Sequence, residues 1–253
     1  RILNTRAADQ AGELTTLLEA RGAEVIEAPT IELVAPESHD ELDVAIAELD
    51  TFDWLILTSA NGVRCFFQRL AELGRDARAL GRCRICVVGP KTAAGLAAHG
   101  LRADLVAAEF KGEGVVAALA ETDLKDKKIL FPKADRAREV IPTELAKRGA
   151  TVIAPVLYRN HVPAALPEAA HTALEAGEID CVAFTASSTV DNLAVLLGDK
   201  FAARLKDVAI ASIGPITSKT CRKHDLEVHI EPSEYTLEAL VEGIVAYFDH
   251  AAE

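Results

Sequence analysis

The chain repeats itself, and this limits its fold more than any other feature. Arg21-Gly22-Ala23-Glu24-Val25-Ile26 returns as Arg148-Gly149-Ala150-Thr151-Val152-Ile153, a shift of 127 residues. The same shift carries Asp53-Trp54-Leu55-Ile56-Leu57-Thr58-Ser59-Ala60 onto Asp180-Cys181-Val182-Ala183-Phe184-Thr185-Ala186-Ser187. A shift of 125 carries Val88-Gly89-Pro90-Lys91-Thr92 onto Ile213-Gly214-Pro215-Ile216-Thr217, and Phe110-Lys111 with Glu113 onto Tyr235-Thr236 with Glu238. Four blocks in one order at nearly one spacing describe two copies of an α/β unit, not a short-period solenoid.

Within each copy, short β-branched runs alternate with amphipathic stretches, the pattern of βαβ units and parallel sheets. Strands are predicted at 1–5, 23–27, 53–58, 83–88, 104–107, 127–131, 150–154, 180–184, 208–211 and 228–230. Leu14, Leu17 and Leu18 mark the first intervening helix, with Gly22 beyond its end. The fold class is therefore α/β, with ten strands forming two doubly wound parallel five-stranded sheets. The simplest division is 1–127 and 128–253. Pro-bounded extended segments, Pro29 to Pro36 and Pro155 to Pro163, recur at one phase of the repeat. They suggest a crossed division: 1–33 with 164–253 in one domain, 37–155 in the other, and linkers at 34–36 and 156–163.

Half of the 253 residues are hydrophobic, enough for one large core or two modest ones. The net charge of −12 argues against nucleic acid, whose binding rests on phosphate neutralisation, while leaving room for a small anion in a locally positive cleft. No apolar run approaches the roughly 20 residues of a membrane helix, and no basic-then-apolar leader opens the chain. Five cysteines, thinly spread, suit free thiols in a reducing cytoplasm. The chain begins at Arg1 and contains no Met, as expected of a segment trimmed or cut from a longer polypeptide.

Ligands of open α/β sheets bind beyond the carboxyl ends of the strands, where helix N-termini present backbone N–H groups. Four such junctions carry small hydroxyl and glycine residues: Thr58-Ser59-Ala60-Asn61-Gly62, Gly89-Pro90-Lys91-Thr92, Thr185-Ala186-Ser187-Ser188 and Gly214-Pro215-Ile216-Thr217. Each could donate hydrogen bonds to a carboxylate; equally, Ser59, Thr92, Ser187 and Thr217 could simply cap helices. Arg6 follows the first strand, Lys133, Arg136 and Arg138 follow its repeat partner, and Lys91 lies in the second junction. Neither G-x-x-x-x-G-K-[ST] nor G-x-G-x-x-G occurs, nor H-E-x-x-H or G-x-S-x-G. Cys83-x-x-Cys86 lacks a second pair and reads as core thiols, so no metal is expected. Asp9 and Asp135 read as helix caps.

These junctions resemble the uroporphyrinogen-III synthase family. The resemblance rests on Thr5-Arg6, Leu57-Thr58-Ser59-Ala60-Asn61-Gly62-Val63, Val88-Gly89-Pro90-Lys91-Thr92-Ala93, Val156-Leu157-Tyr158-Arg159, Phe184-Thr185-Ala186-Ser187-Ser188, Ile213-Gly214-Pro215-Ile216-Thr217 and Pro232-Ser233-Glu234-Tyr235-Thr236, in order from about residue 1 to 249. It implies two flavodoxin-like domains joined by a two-stranded ladder, and cofactor-free closure of hydroxymethylbilane to uroporphyrinogen III. Tyr158 is then the catalytic candidate, its phenol donating to the leaving hydroxyl. Arg6, Ser59, Asn61, Lys91, Thr92, Lys133, Ser187, Ser188 and Thr217 are candidate substrate contacts. The implied partner is a linear tetrapyrrole alone, for a monomer or for part of a fusion with a tetrapyrrole methyltransferase. A non-catalytic two-domain module that senses a small anion remains the alternative.

Overall fold

The computed structural model describes residues 1–109 and 111–251; Phe110, part of the repeat, lies outside the described residues. In chain order the strands are β1 (Ile2–Asn4), β2 (Val25–Glu27), β3 (Glu32–Val34), β4 (Trp54–Leu57), β5 (Arg84–Val88), β6 (Leu105–Ala107), β7 (Lys128–Leu130), β8 (Lys133–Ala134), β9 (Thr151–Ile153), β10 (Val156–His161), β11 (Cys181–Phe184) and β12 (Ala209–Ser212). The helices are α1 (Ala8–Glu19), α2 (Asp40–Ala47), α3 (Ala60–Glu72), α4 (Gly89–Ala97), α5 (Gly112–Ala118), α6 (Val140–Lys147), α7 (Glu168–Ala176), α8 (Ser187–Leu197), α9 (Phe201–Arg204), α10 (Pro215–Lys223) and α11 (Leu237–Ala251). Two compact units result, one from 1–32 with 161–253 and one from 33–160.

The first unit holds a parallel sheet in the order β12-β11-β1-β2, and the second a parallel sheet in the order β6-β5-β4-β7-β9. The repeat explains both. Ile2 pairs with Cys181 in the first sheet and Trp54 with Ile129 in the second; moving 2 and 54 forward by 127 exchanges one pair for the other. Each sheet thus takes two strands from one copy and the rest from the other copy, in the same register. Both faces of each sheet are covered, so the strands read as continuous apolar runs. In β4, Leu55 and Leu57 enter one core cluster while Trp54 and Ile56 enter the opposite one. In β11, Val182 and Phe184 part from Cys181 and Ala183 in the same way.

Four expectations need correction. The first sheet has four strands, not five, because residues 228–230 contribute one parallel bridge, Ile230 to Ala211. Its repeat counterpart β6 pairs through to Ala107, whereas the matching position is Pro232, which has no N–H to continue a ladder. The expected two-stranded ladder is a three-stranded sheet, β3-β10-β8. Lys133 N–H donates to Pro155 O at 3.0 Å and Asp135 N–H to Tyr158 O at 3.1 Å, so the chain leaving β7 pairs before α6 begins. Asp135 therefore caps no helix, and Asp9 sits in the first turn of α1, whose N-cap is Ala7.

Candidate active site

In the second unit, five of the expected residues follow the carboxyl ends of β4, β5 and β7, and a sixth, Tyr158, comes from β10. Ser59 is the N-cap of α3; its Oγ accepts from Gly62 N–H at 2.8 Å, satisfying one of the donors a helix start leaves open. A Cβ at Gly62 would lie 3.2 Å from that Oγ, a tight approach that a glycine avoids. Tyr158, on β10, is 9% exposed, and its hydroxyl lies 3.1 Å from Ser59 Oγ. The ring packs into the core around Leu55, Leu57 and Phe66 while the hydroxyl reaches the mouth of the helix. Asn61 sits half-buried in the first turn of the same helix.

The next junction turns at Gly89, whose φ of 71° belongs to the left-handed region that favours glycine. Pro90 then occupies the first turn of α4, where its missing N–H costs nothing. Lys91 is exposed and Thr92 is buried at 3%. Lys133, on β8, is engaged with Glu139, which offsets the cation expected there. Arg138 pairs bidentately with Glu113 at 2.7 and 2.8 Å, and Arg136 Nε lies 3.8 Å from Asp135.

In the first unit the corresponding ends are those of β1, β11 and β12. Thr5 Oγ1 donates to Ala183 O at 2.8 Å, fixing the end of β1 against β11. Arg6 Nε donates to Gln10 O at 2.9 Å. Burial lowers the guanidinium's pKa, partly opposed by Glu13 and Asp9, yet an arginine remains charged. Ser187 opens α8, and its Oγ donates to Ile216 O at 3.3 Å, which ties two neighbouring helix starts together. Ser188 is exposed, Thr217 is 4% exposed within the first turn of α10, and Ile216 between them is 78% exposed. Of the four hydroxyls that might have been caps, Ser59 alone serves as one; Thr92, Ser187 and Thr217 lie inside their helices.

Arg6, Ser187, Ser188 and Thr217 thus share the carboxyl end of their sheet, and Ser59, Asn61, Lys91 and Thr92 that of theirs, while Lys133 and Tyr158 lie on β8 and β10 of the three-stranded sheet. Direct contact among them is made by Ser59 and Tyr158. The sequence did not single out Ser212, Ser218 and Glu231, which join beneath the Gly214 junction. The signal lay in the repeat: a shift of 125 sets Ser212 and Ser218 against Val87 and Ala93. Cys83 and Cys86 are buried in and beside β5, and burial pushes both thiols up to about 12. Among the described residues no group of three or more His, Cys, Asp or Glu side chains is placed to hold a metal ion, and no helix is long and apolar enough to cross a membrane.

Such sheet ends and β10 supply hydroxyls, helix-start N–H groups and a phenol, suited to binding carboxylates and moving a proton. The family model described as Uroporphyrinogen-III synthase HemD matches residues 12–242. A relative named uroporphyrinogen-III synthase from Synechococcus elongatus is 42% identical over 248 residues, 96% of this chain and 93% of its own. The porphyrin biosynthesis protein HemD of Ruminiclostridium josui is 28% identical over 97% of this chain, which spans 48% of that longer protein. Among solved structures, uroporphyrinogen-III synthetase from Helicobacter pylori aligns with a TM-score of 0.65 at 19% identity, covering 97% of this chain and 98% of that one. A uroporphyrinogen III synthase mutant from Thermus thermophilus aligns at 0.59 and 19%, covering 99% of each chain; at such identity these two likenesses speak for the α/β fold alone. With the family model spanning 12–242 and 42% identity along nearly the whole length, the chain belongs to the uroporphyrinogen-III synthase family.

Proposed function

We propose that the chain is a uroporphyrinogen-III synthase, a cyclising lyase of tetrapyrrole biosynthesis that converts hydroxymethylbilane to uroporphyrinogen III with loss of water and inversion of ring D. The observation that carries this reading is the 42% identity to a synthase over 96% of the chain. The Ser59–Tyr158 contact at a helix start supplies a place for the chemistry. In the reaction, ring A loses its hydroxyl to give a stabilised cation. That cation attacks the substituted carbon of ring D, and the spiro intermediate fragments and recloses with ring D turned over.

The pyrrole provides the electrons, so the protein has to orient the chain ends and assist departure of water. Tyr158 donates its proton to the leaving hydroxyl. Gly62 N–H donates to Ser59 Oγ, leaving the Ser59 proton free to turn toward the phenolate oxygen. The N-terminus of α3 favours negative charge at that place. Ring closure later releases a proton, so the phenol is restored without net consumption. Arg6, Lys91, Asn61, Ser187, Ser188, Thr92, Thr217 and, when freed from Glu139, Lys133 would hold the substrate's carboxylates.

Each unit is read as a flavodoxin-like domain. The strand order β2-β1-β11-β12 and its repeat equivalent β9-β7-β4-β5-β6 support this. No cofactor, nucleic acid or membrane enters the reading; the enzyme is cytoplasmic, acting as a monomer or within a methyltransferase fusion. The test is to incubate the protein with hydroxymethylbilane, oxidise, and separate the porphyrin isomers. A predominance of type III is expected. The type I product of spontaneous closure at the rate of buffer alone would overturn the reading, and saturable binding without turnover would point to a sensing module.

A further inference from the structure

The junction after β12 rests on a polar chain that its sister junction lacks. Ser218, in α10, donates to the carboxylate of Glu231. Its Oγ also lies 2.9 Å from Ser212 Oγ, and Gly214 N–H points at Ser212 Oγ from 3.4 Å. A hydroxyl carries one proton, and an ionised carboxylate can only accept. With the Ser218 proton committed to Glu231, Ser212 is left to donate to Ser218 Oγ or to Gly214 O, 3.1 Å away, while accepting from Gly214 N–H. Ser212 and Ser218 are both fully buried. With Ser212 donating across the shorter, 2.9 Å contact to Ser218 Oγ, the donors run from the Gly214 peptide to the Glu231 carboxylate.

The repeat provides the control. Shifted by 125 residues, Ser212, Ser218 and Glu231 fall on Val87, Ala93 and Val106. The equivalence is structural as well: Cys86 pairs with Leu105 in parallel, as Ala211 does with Ile230. The same α/β junction is thus built without a polar group at any of the three positions. Its backbone also differs, with Gly89 at φ 71° where Gly214 is extended at φ 170°. Glu231 is itself exposed, and burying the linked hydroxyls of Ser212 and Ser218 gains little stability over an apolar filling. The polar triplet accompanies a particular setting of the glycine peptide that leads into Thr217.

We propose that Glu231 is a positioning residue, acting through Ser218 and Ser212 to hold the Gly214 peptide so that Thr217 and the first amides of α10 are aimed at a substrate carboxylate. The proposal rests on the reading of this loop as a substrate contact. Its test transplants the sister junction, Ser212→Val with Ser218→Ala and Glu231→Val, alongside Glu231→Gln and Ser218→Ala alone. The triple variant is expected to fold with a denaturation midpoint close to wild type, because Val87 is buried and Ala93 half-buried at the sister junction and the third change falls on an exposed position in both copies. Its kcat/KM should fall at least tenfold and its type I share should rise, since small displacements of binding groups are costly in rate. Ser218→Ala, which breaks the chain in the middle, should shift both readouts in the same direction. Glu231→Gln keeps an acceptor for Ser218 and should stay within threefold of wild type. A folded triple variant, or Ser218→Ala should the triple not fold, within threefold of wild type with an unchanged isomer ratio would overturn the proposal. So would Glu231→Gln falling as far as the triple, because charge rather than aim would then be at work. A wild-type protein that makes no type III isomer would instead sink the functional reading itself.

Discussion

Replacing Tyr158 with Phe separates a structural role from a chemical one, because the two carry different magnitudes. The ring is 9% exposed and packs in the core, and Phe keeps that packing. The change removes the hydroxyl and its 3.1 Å contact with Ser59 Oγ. A neutral hydrogen bond contributes about 0.5–1.5 kcal/mol net. Ser59 is not left stranded, because its Oγ keeps the Gly62 N–H at 2.8 Å. The stability loss should therefore sit near about 1 kcal/mol, a shift of a few degrees in Tm. Loss of a general acid costs about 10²- to 10⁴-fold in rate, or roughly 3–5 kcal/mol of barrier. Initial rates of type III formation at saturating hydroxymethylbilane, measured beside guanidinium denaturation of the same samples, read the two quantities separately. A Tyr158→Phe protein with kcat within threefold of wild type and an unchanged isomer ratio would remove Tyr158 from the proton transfer. A stability loss above about 3 kcal/mol would show that the hydroxyl holds the fold instead.

Two further outcomes follow from the charges and thiols. Arg69 grips Asp43 through two hydrogen bonds, 2.8 Å at Nε and 2.5 Å at Nη2, and this holds the Asp43 carboxyl below its ordinary value. A depressed carboxylate stabilises above its unfolded pKa and loses that contribution as pH falls through the folded one. Asp43→Asn should therefore lower stability by about 1 kcal/mol near pH 7, with the gap to wild type closing on titration below about pH 4; a gap unchanged at about pH 3 would contradict the assignment. Burial pushes the thiols of Cys83, Cys86, Cys181 and Cys221 up to about 12, and thiolate is the reactive form. Native protein treated with iodoacetamide at about pH 8 is expected to label no more than Cys65, and all five cysteines once unfolded; native labelling of the other four would refute their burial.

The strands of the two main sheets lie where the sequence places them because each is a short apolar run covered on both faces, and such runs stand out against polar loops. What the sequence missed depends on pairing. Lys133–Ala134 is two residues long and carries no periodicity; it is a strand because β10 lies beside it. Val228–Ile230 has strand composition, yet Pro232 cuts its ladder to one bridge. The site divides in the same way. Helix starts were legible from Ser59, Gly89 and Gly214, since caps and turns are local chemistry. The Ser59–Tyr158 contact spans 99 residues and follows from no spacing rule; Tyr158 was marked by resemblance. Lys133 reads from the sequence as an available cation, whereas in the structure it is paired with Glu139. Ser212 and Ser218 were visible in principle, as polar residues standing where the other copy is apolar.

Exchange of strands between the copies makes the natural cutting points differ from the repeat boundary, and this can be tested on fragments. A cut after residue 127 follows the repeat but leaves the second unit without β7, β8, β9 and β10. From its two cores this removes Ile129, Leu130, Phe131, Ile141, Leu145, Leu157 and Tyr158, all buried. At roughly 1.5–3 kcal/mol for each large apolar side chain, the loss is on the order of 10 kcal/mol or more, comparable with the whole stability of an ordinary domain. Fragment 1–127 should therefore be unfolded or aggregated. Fragment 33–160 retains every strand of the five-stranded sheet and every buried member of both cores, and its size suits an independent domain. It should unfold cooperatively in urea. Trp54, 2% exposed with the Arg84 guanidinium 4.2 Å from its ring, is the sole tryptophan and reports on this unit alone. A cooperative Trp54 transition in 1–127, or none in 33–160, would show that the sheets are assembled from each copy separately and that the exchanged pairing of β1 with β11 and β4 with β7 is wrong.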